Sequence, residues 1–433
     1  MNHVPPPSLL ELVSPRVGVI RELQRISKGR REPELPIVYR SVLAHFDYRN
    51  ADQGDRLAAG KGTTAAQAIA SAIGEALERY CAAHVNRQEL VMARVSDLPG
   101  PAIEPADLVL YAEDQYAYLP YARPDPDQAI TWAGGRRLMS GETVYIPASL
   151  VYLGFGGAGM KEAFAMSTSS GLAAGPDLAY AIRSGIRELV ERDAFLLTWM
   201  NRLPAKEIRL DGLDGAAGQV IRHYARHGVD VRVFHLQNDL QVHTCMAIGL
   251  DHERSVPAAA VGLSANLDPA RAVSDAIMEM AQVRPGIEHQ CRERTPGKKK
   301  YEDVRSLEDH STFFAMPEHL DELDFLLNGE GHVAISDLTD YSTGNADADV
   351  EVCARTLADA GVDVAYVDLT TADLQEFPVR VVRVVATKLQ PMHFGYGAER
   401  LGGERLFTIA RDLGFDDVRR TVVDLNRCPH PLA

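Results

Sequence analysis

Cysteine is scarce in this sequence, with five residues spread among 433 and no Cys-x-x-Cys pair. This spacing argues against a disulfide framework and provides no structural zinc motif. The sequence also lacks any apolar run near the ~20 residues of a membrane-spanning helix. Its first residues, MNHVPPPSLLELVSPRVG, lack the basic region and apolar core of a signal peptide. We therefore predict a cytoplasmic protein with no membrane partner.

Positive charge is also in deficit, because the formal net charge is -15 at pH 7. Broad binding to nucleic acid or to anionic membranes depends on clustered positive charge, so we predict no nucleic-acid partner. The basic stretch RERTPGKKK at 292–300 is interpreted as a solvated loop. The hydrophobic fraction of 46% and the charged fraction of 24% are typical of a folded globular chain.

A phosphate-binding P-loop is missing, although AAGKGTTAAQ at 58–67 is similar to one. A P-loop needs Gly, four residues, and then Gly-Lys-Ser/Thr. Counting back from Lys61, the first glycine falls on Asp55, and the residue after the lysine is Gly62. A nucleotide at this position would therefore be bound by other groups.

The segment GFGGAG at 154–159 matches Gly-x-Gly-x-x-Gly and follows a strand-like segment, ETVYIPASLVYL. A dinucleotide-binding turn needs a helix that begins inside the motif. Here the chain reaches a Ser/Gly cluster within about two helical turns. We therefore favour a mobile glycine loop beside a substrate groove.

Strands and helices are mixed along the chain, which predicts one α/β domain with mixed sheets and packed helices. A helix is expected after Asp268, a capping residue, with Pro269 at its first position. The segments 86–145 and 288–350 have weaker patterns and are expected to form loops and short elements. The predicted strands are 229–236, 242–250, 256–265, 362–370 and 378–389.

Three predicted helices carry paired acidic or amide side chains with i, i+3 spacing, which places each pair on one helix face. The pairs are Glu75 with Glu78, Glu188 with Glu191, and Glu279 with Gln282.

A lone Glu-x-x-Glu-Arg is ordinarily a solvated helix face. Residues 64–83, however, contain just three charged side chains, Glu75, Glu78 and Arg79, among mostly apolar neighbours. Paired carboxylates in such surroundings repel one another and lose hydration, so they favour a cation. Hard oxygen ligands suit Mg²⁺, which commonly bridges carboxylates to phosphates. Three converging pairs would bind Mg-ATP without a P-loop.

These motifs, together with SSGLAAG at 169–175, resemble the YcaO superfamily of ATP-dependent peptide-modifying enzymes. The resemblance extends from about residue 40 to the C-terminus, which leaves 1–40 as an N-terminal extension and 41–433 as one YcaO-like domain. The segment KLQPMHFGYGAERLGGERL at 388–406 and the final CPHPLA resemble the azoline-forming cyclodehydratase branch.

The resemblance implies an activity in which Cys, Ser or Thr of a ribosomal precursor peptide becomes a thiazoline or oxazoline through phosphorylation of the backbone amide oxygen. It also implies a fold with a non-P-loop ATP site and ATP and Mg²⁺ as cofactors. The implied magnesium and phosphate ligands are Glu75, Glu78, Glu188 and Glu191, with Glu279 and Gln282 as additional ligands. Lys61, Arg79 and Arg192 would contact phosphate oxygens, and Ser170, where many relatives have Asn, would contact nucleotide.

The resemblance further implies that a C-terminal tail orders the substrate site or assists proton transfer. This tail comprises Pro429, His430, Pro431, Leu432 and Ala433. The tail of the family is usually Pro-x-Pro-x-Pro, and Ala433 replaces its last proline. The alternative is a disordered chain end.

Cyclodehydratases of this type commonly need a leader-peptide-binding domain. Because only residues 1–40 precede the resemblance, we expect a separate leader-binding partner protein, with a flavin-dependent azoline dehydrogenase and a homodimer as further expectations. Two alternatives stay open. One is thioamide or amidine formation on the same fold, and the other is a non-catalytic docking subunit of a peptide-modifying complex.

Overall fold

The computed structural model describes residues 7–44, 57–155, 161–253, 256–293, 300–329 and 331–432. The strands in these ranges are β1 Ile20–Arg25, β2 Ile37–Leu43, β3 Leu57–Gly62, β4 Val91–Ala93, β5 Ile130–Arg137, β6 Thr143–Pro147, β7 Leu172–Gly175, β8 Lys206–Arg209, β9 Val229–Leu236, β10 His243–Asp251, β11 Ala259–Asn266, β12 His332–Ala334, β13 Val364–Asp368 and β14 Arg380–Ala386. The helices are α1 Pro7–Leu10, α2 Ala65–Ala83, α3 Ala148–Val151, α4 Leu178–Asn201, α5 Gly215–Ala225, α6 Pro269–Glu293, α7 Leu307–Phe314, α8 Asp324–Leu327, α9 Ala346–Asp359 and α10 Arg405–Asp412.

These strands form three sheets. The first has the order β1-β2-β3, and the second has the order β11-β10-β9-β8-β12, in which only β12 and β8 pair in parallel. The third has the order β4-β5-β13-β14-β7, with β6 paired to β5. The predicted mixed α/β architecture is confirmed. In the part of the chain that the structure describes, no helix is long and apolar enough to span a membrane.

The strongly patterned elements lie where the sequence predicts them. The strand predicted at 229–236 has those bounds, and helix α6 begins at Pro269. Asp268 caps that helix, since its Oδ1 accepts the backbone N–H groups of Ala270 at 2.9 Å and Arg271 at 3.3 Å. The predicted strand start at 256 was three residues early, because β11 begins at Ala259.

The weakly patterned segments contain more structure than expected. Residues 86–145 include β5, an eight-residue interior strand of the third sheet that pairs with β4, β6 and β13. Its sequence, ITWAGGRR, hides the strand because Gly135 interrupts the side-chain pattern. A Cβ there would lie 2.8 Å from the Tyr366 carbonyl, so the glycine permits a close approach of β13. The segment ETVYIPASLVYL is a strand only to Pro147 and then becomes α3. Residues 156–159 of the glycine motif lie outside the described residues, as do 294–299 of the basic stretch.

Residues before 41 contribute to the first sheet, because β1 pairs along β2. Glu32 is buried, forms an ion pair with Arg284 of α6 and accepts the Tyr224 hydroxyl at 2.6 Å. The start of the chain is thus joined to a helix far along the sequence. The domain boundary at residue 40 remains a prediction.

Two of the helices that carry acidic pairs lie unusually close to a strand. At Gly60 of β3 a Cβ would lie 1.9 Å from the Ala72 nitrogen of α2, and at Gly262 of β11 it would lie 2.1 Å from the Met280 nitrogen of α6. Only glycine allows these approaches. The spacing between helix and sheet beneath both acidic pairs is therefore set by the absence of a side chain.

Candidate functional site

Helices α2, α4 and α6 surround one cavity of about 1040 Å³. All ten residues that the sequence predicts for nucleotide and metal line it. They are Lys61, Glu75, Glu78, Arg79, Ser170, Glu188, Glu191, Arg192, Glu279 and Gln282. The geometry therefore brings together side chains from three distant parts of the sequence.

The three pairs occupy equivalent positions in their helices. Each begins 11 residues after the N-terminal capping residue and ends 14 residues after it, counting from Thr64, Asp177 and Asp268. Since a helix turns through about 100° per residue, equal counts place each pair on the same face relative to its cap. Three capped helices thus present their pairs to one cavity.

The pair on α2 is tied to neighbouring strands. Glu75 accepts the Ala59 backbone N–H at 3.2 Å and pairs with Arg79 at 3.2 Å. Glu78 accepts the Ala174 N–H of β7 at 2.7 Å. Each carboxylate therefore has one oxygen fixed by the backbone, which orients the group while leaving acceptor capacity for a ligand.

The pair on α4 is held in a similar way. Glu188 accepts the Gly171 N–H at 3.2 Å, and Glu191 accepts the Ala265 N–H of β11 at 3.1 Å. Arg192 lies 3.5 Å from Glu188 and 2.9 Å from Glu191. The pair on α6 has a cationic partner as well, because Lys61 of β3 pairs with Glu279 at 3.0 Å. Gln282 and Ser170 line the same cavity.

The electrostatics of these carboxylates reflect burial and mutual repulsion. Burial, together with the charge of Glu75, raises the pKa of Glu78 well above its ordinary value. Burial also raises the pKa of Glu188, and it raises the pKa of Glu191 to about 7. The ionised forms of these groups are disfavoured without a cation, so cation binding would relieve the repulsion.

This donor set fits Mg²⁺ that is shared with a phosphate. Within the described ranges, no group of three or more His, Cys, Asp or Glu is arranged to hold one metal ion. Magnesium, however, commonly binds through one or two carboxylates, with waters and substrate phosphates completing its shell. Pairs of carboxylates on facing helices are consistent with that mode and not with an all-protein cage.

Sequence reasoning missed Arg383, which supports the Ser170 segment. Arg383 lies in β14 and donates to the backbone carbonyls of Leu150 at 3.0 Å and Thr168 at 2.9 Å. Burial lowers the pKa of its guanidinium to about 10. The available signal was a charged residue inside the apolar run PVRVVRVVATKL.

The C-terminal tail is packed into the protein as far as Leu432, and residues 428–432 are buried. Trp199 of α4 donates its indole N–H to the Cys428 carbonyl at 2.9 Å, and Asn426 N–H donates to the Met200 carbonyl at 2.7 Å. Leu432 lines the cavity. Pro429, His430 and Pro431 are buried but do not line the cavity, and Ala433 lies outside the described residues.

The tail histidine, His430, lies in a cluster with His310 of α7 and His393. Its ring stacks on that of His310, with centroids 3.9 Å apart, and its Nε2 donates to the His393 carbonyl at 2.8 Å. Burial lowers the pKa of His430 well below its ordinary value. A neutral ring behind the cavity wall gives no support to the predicted proton transfer by His430, which remains a prediction. Sequence reasoning missed His310, which lies in the segment expected to be loops.

Comparison with known families identifies the class of protein. A family model described as YcaO cyclodehydratase, ATP- and Mg²⁺-binding, matches residues 59–390. This is well over half of the chain, and the chain therefore belongs to the YcaO family. The predictions of a YcaO-like fold and of ATP and Mg²⁺ as cofactors of this family are confirmed.

Two relatives in sequence are similar to this chain. An uncharacterized protein of Methanothermobacter thermautotrophicus is 31% identical over 79% of this chain and 84% of its own length. An uncharacterized protein in the tfuA 3' region of Rhizobium leguminosarum bv. trifolii is 30% identical over 52% of this chain and 54% of its own length.

Two solved structures share the fold. A heterocyclase in complex with substrate and cofactor superposes with a TM-score of 0.82 at 26% identity, over 98% of this chain. This chain spans 57% of the length of that heterocyclase. YcaO from Methanopyrus kandleri, bound with AMPPCP and Mg²⁺, superposes with a TM-score of 0.63 at 24% identity, over 84% of this chain and 86% of its own chain, or about five sixths of each.

Proposed function

We propose that this chain is an ATP-dependent enzyme that modifies the backbone amides of a ribosomal precursor peptide, and that it forms thiazoline or oxazoline rings from Cys, Ser or Thr. One observation carries the proposal. Acidic pairs on α2, α4 and α6 face the same cavity as Lys61, Arg79 and Arg192. The carboxylates would bind the metal ion and the cationic side chains would bind the phosphates of a nucleoside triphosphate, so no P-loop is needed.

The chemistry requires activation of an amide oxygen, which is a poor leaving group. The side-chain sulfur or oxygen of the peptide adds to the preceding carbonyl carbon and loses its proton. The resulting oxyanion attacks the γ-phosphorus of ATP, and ADP leaves. Phosphate then leaves from carbon, and the former amide nitrogen loses its proton to give the C=N bond of the azoline. Positioning and charge neutralisation are the main contributions of a protein to such a phosphoryl transfer.

The residues of the cavity have distinct proposed roles. Glu75, Glu78, Glu188 and Glu191 would hold Mg²⁺, with Glu279 and Gln282 as further ligands. When bound, Mg²⁺ neutralises charge that develops on the phosphate oxygens. Lys61, Arg79 and Arg192 would then exchange their carboxylate partners for phosphate oxygens. Ser170, in a segment supported by Arg383, would contact the nucleotide.

Two observations favour ring formation over other YcaO reactions. The heterocyclase that superposes over 98% of this chain binds substrate and cofactor. In this chain the tail carries Leu432 to the cavity wall, next to Met392 and Phe394. Pro429, Pro431 and Ala433 would act through the tail by shaping the position of the peptide.

Thioamide formation is the second candidate, and the relative in a tfuA 3' region is the observation that favours it. In this reaction an external sulfide would add to the carbonyl carbon, and phosphate would leave in the same way. The cavity serves both reactions, since each activates the same oxygen.

The proposed partners follow from the same family resemblance. They are the precursor peptide, a separate leader-binding protein that delivers it, and a second copy of this chain in a homodimer. A flavin-dependent dehydrogenase would act after ring formation.

The first test is calorimetric titration of ATP with and without Mg²⁺ into wild type, Glu75→Gln and Glu188→Gln. We expect wild type to bind only with Mg²⁺ and both variants to lose binding while they remain folded. Glu142→Gln, at an exposed carboxylate in the β5–β6 hairpin and outside the cavity lining, is the control. Equal binding by all proteins would refute the site assignment.

Product mass separates the two chemistries. Purified chain, partner, precursor peptide, Mg-ATP and sulfide are combined, and the peptide is weighed by mass spectrometry. Ring formation removes the mass of one water per residue, whereas thioamide formation exchanges oxygen for sulfur and needs sulfide. Sulfide-dependent exchange without loss of water would replace the first proposal by the second.

A further inference from the structure

We propose that His310 is a positioning residue that fixes the C-terminal tail and the neighbouring segment 392–395 as one wall of the peptide side of the cavity. This inference rests on the proposed function, because it assigns a task to that wall. His310 lies in α7, outside the cavity lining and outside every motif of the acidic helices.

The hydrogen bonds define the tautomer of His310. The Gly395 backbone N–H donates to Nε2 at 3.0 Å, so that nitrogen must carry a lone pair. The hydrogen therefore lies on Nδ1, which donates to the His430 carbonyl at 2.8 Å. One neutral imidazole thus joins two separate segments of backbone.

A second imidazole completes the connection. His430 Nε2 lies 2.8 Å from the His393 carbonyl and must donate to it, since a carbonyl oxygen only accepts. The His430 ring also contacts Phe195 of α4 edge-on, at a centroid distance of 5.7 Å. The tail is therefore held on three sides, by α7, by residues 393–395 and by the helix that carries Glu188 and Glu191.

The cluster is built for neutral rings. Burial lowers the pKa of His310 to about 4 and that of His393 to about 3. A proton on His310 Nε2 would also oppose the Gly395 N–H. At neutral pH the cluster therefore adds no charge next to the acidic pairs, and its contribution is geometric.

The residues that reach the cavity lie beside the residues that His310 joins. Met392 and Phe394 flank His393, and Leu432 is two residues after His430; all three line the cavity. Loss of His310 would release both sides of this wall together. The carboxylates on α2 and α4 have separate backbone partners, and Glu279 of α6 pairs with Lys61, so nucleotide binding should be retained.

The test compares His310→Leu, which removes the donor, with His310→Asn, whose amide can restore a donor near the Nδ1 position. His235→Leu is the matched control. His235 is a half-buried histidine in contact with His243 at 3.1 Å, and burial lowers its pKa to about 4. Each variant is also made in a chain truncated after Cys428.

Two readouts are needed. Hydrogen exchange of peptides that cover 425–432 reports whether the tail is fixed, and it requires no substrate. The second is kcat/KM for the precursor peptide beside calorimetric affinity for Mg-ATP. We expect His310→Leu to lose tail protection and to lower kcat/KM by about 10- to 100-fold with unchanged nucleotide affinity. His310→Asn should recover most of both, and His235→Leu should change neither.

The truncated background separates positioning from general damage. If His310 acts through the tail, His310→Leu will lower kcat/KM no further once residues 429–433 are removed. Retained tail protection in His310→Leu, or an additive loss in the truncated chain, would overturn the inference. If wild type modifies no peptide, the proposed function fails, and hydrogen exchange alone still decides whether His310 fixes the tail.

Discussion

Helix α4 contributes to two regions with opposite electrostatics, the acidic side of the cavity and the histidine cluster of the tail. Its Glu188 and Glu191 belong to the acidic cavity wall, where burial raises carboxylate pKa values. Four and eight residues after Glu191, Phe195 and Trp199 contact the tail cluster, where burial lowers histidine pKa values. The acidic wall has more carboxylates than cations, whereas the histidine cluster of the tail is neutral and hydrogen-bonded within the protein. Under the proposed function, this difference separates binding of the nucleotide from placement of the peptide.

Removing a carboxylate from the wall gives the largest expected effect. Glu78→Gln should weaken Mg-ATP binding at least about 100-fold, since even outer partners of a metal ligand are worth 10- to 100-fold. The same variant should raise the melting temperature without ligand, because it removes a buried charge with a raised pKa. Calorimetry and thermal unfolding check the two effects. If the variant binds Mg-ATP like wild type, Glu78 has no role in binding Mg-ATP.

Displacing helix α6 from strand β11 should lower both the stability of the protein and its affinity for Mg-ATP. In Gly262→Ala the new methyl group meets the α6 backbone, so we expect a loss of about 1 to 3 kcal/mol or more in the free energy of unfolding. Mg-ATP affinity should fall because Glu279 moves. The control is Gly286→Ala, which lies within α6 itself and has open space around the new carbon. This variant should stabilise the protein slightly. Urea denaturation measures both. Equal stability of the two variants would contradict the close-packing argument.

The two regions should respond to pH in opposite directions. Glu191 has its pKa raised from 4.5 to about 7 in the folded protein, so its contribution to stability is present at low pH and is lost as pH rises through that window. His310 has its pKa lowered from 6.5 to about 4, so its contribution is present above pH 6.5 and is lost as pH falls toward 4.

Two variants test these contributions to the pH dependence of stability. The two windows overlap, so each variant isolates one of two contributions of opposite sign. Glu191→Gln should remove the loss of ligand-free stability that Glu191 causes as pH rises from 4.5 to about 7, and His310→Asn should remove the loss that His310 causes as pH falls from 6.5 to about 4. Urea denaturation across pH 4 to 8 measures the free energy of unfolding at each step. If Glu191→Gln does not make the slope of stability against pH more positive, or His310→Asn does not make it more negative, the assignment of that group is wrong.

The smallest effect should come from a single hydrogen bond. Trp199→Phe removes the bond to Cys428 and should cost about 1 kcal/mol in the free energy of unfolding. Trp132→Phe removes an equivalent bond to the Ala93 carbonyl, also 2.9 Å long, far from the tail. Both should lose similar stability, but only Trp199→Phe should lower kcat/KM for the peptide. Equal kcat/KM values in the two variants would show that the bond between Trp199 and the tail does not affect catalysis.

Much of the acidic wall could be predicted from sequence, because its signal is local. An i, i+3 pair in an otherwise apolar helix is visible within twenty residues, and all ten predicted side chains line the cavity. The histidine cluster could not be predicted in this way. His310, His393 and His430 are far apart in sequence, and their contacts depend on how α7 and the tail pack on α4. The strand β5 was missed for a similar reason, since Gly135 is required by the close approach of the neighbouring strand β13 and not by the pattern of β5 itself.

The equal spacing of the three acidic pairs from their caps has a consequence for how this chain can change. Substitutions between Thr64 and Glu75 alter packing, but an inserted residue would turn Glu75 and Glu78 by about 100° and advance them 1.5 Å. The same holds between Asp177 and Glu188. The geometry of the cavity thus depends on the lengths of these helical stretches more than on the residues within them, and we expect insertions and deletions to be tolerated only in the loops outside them.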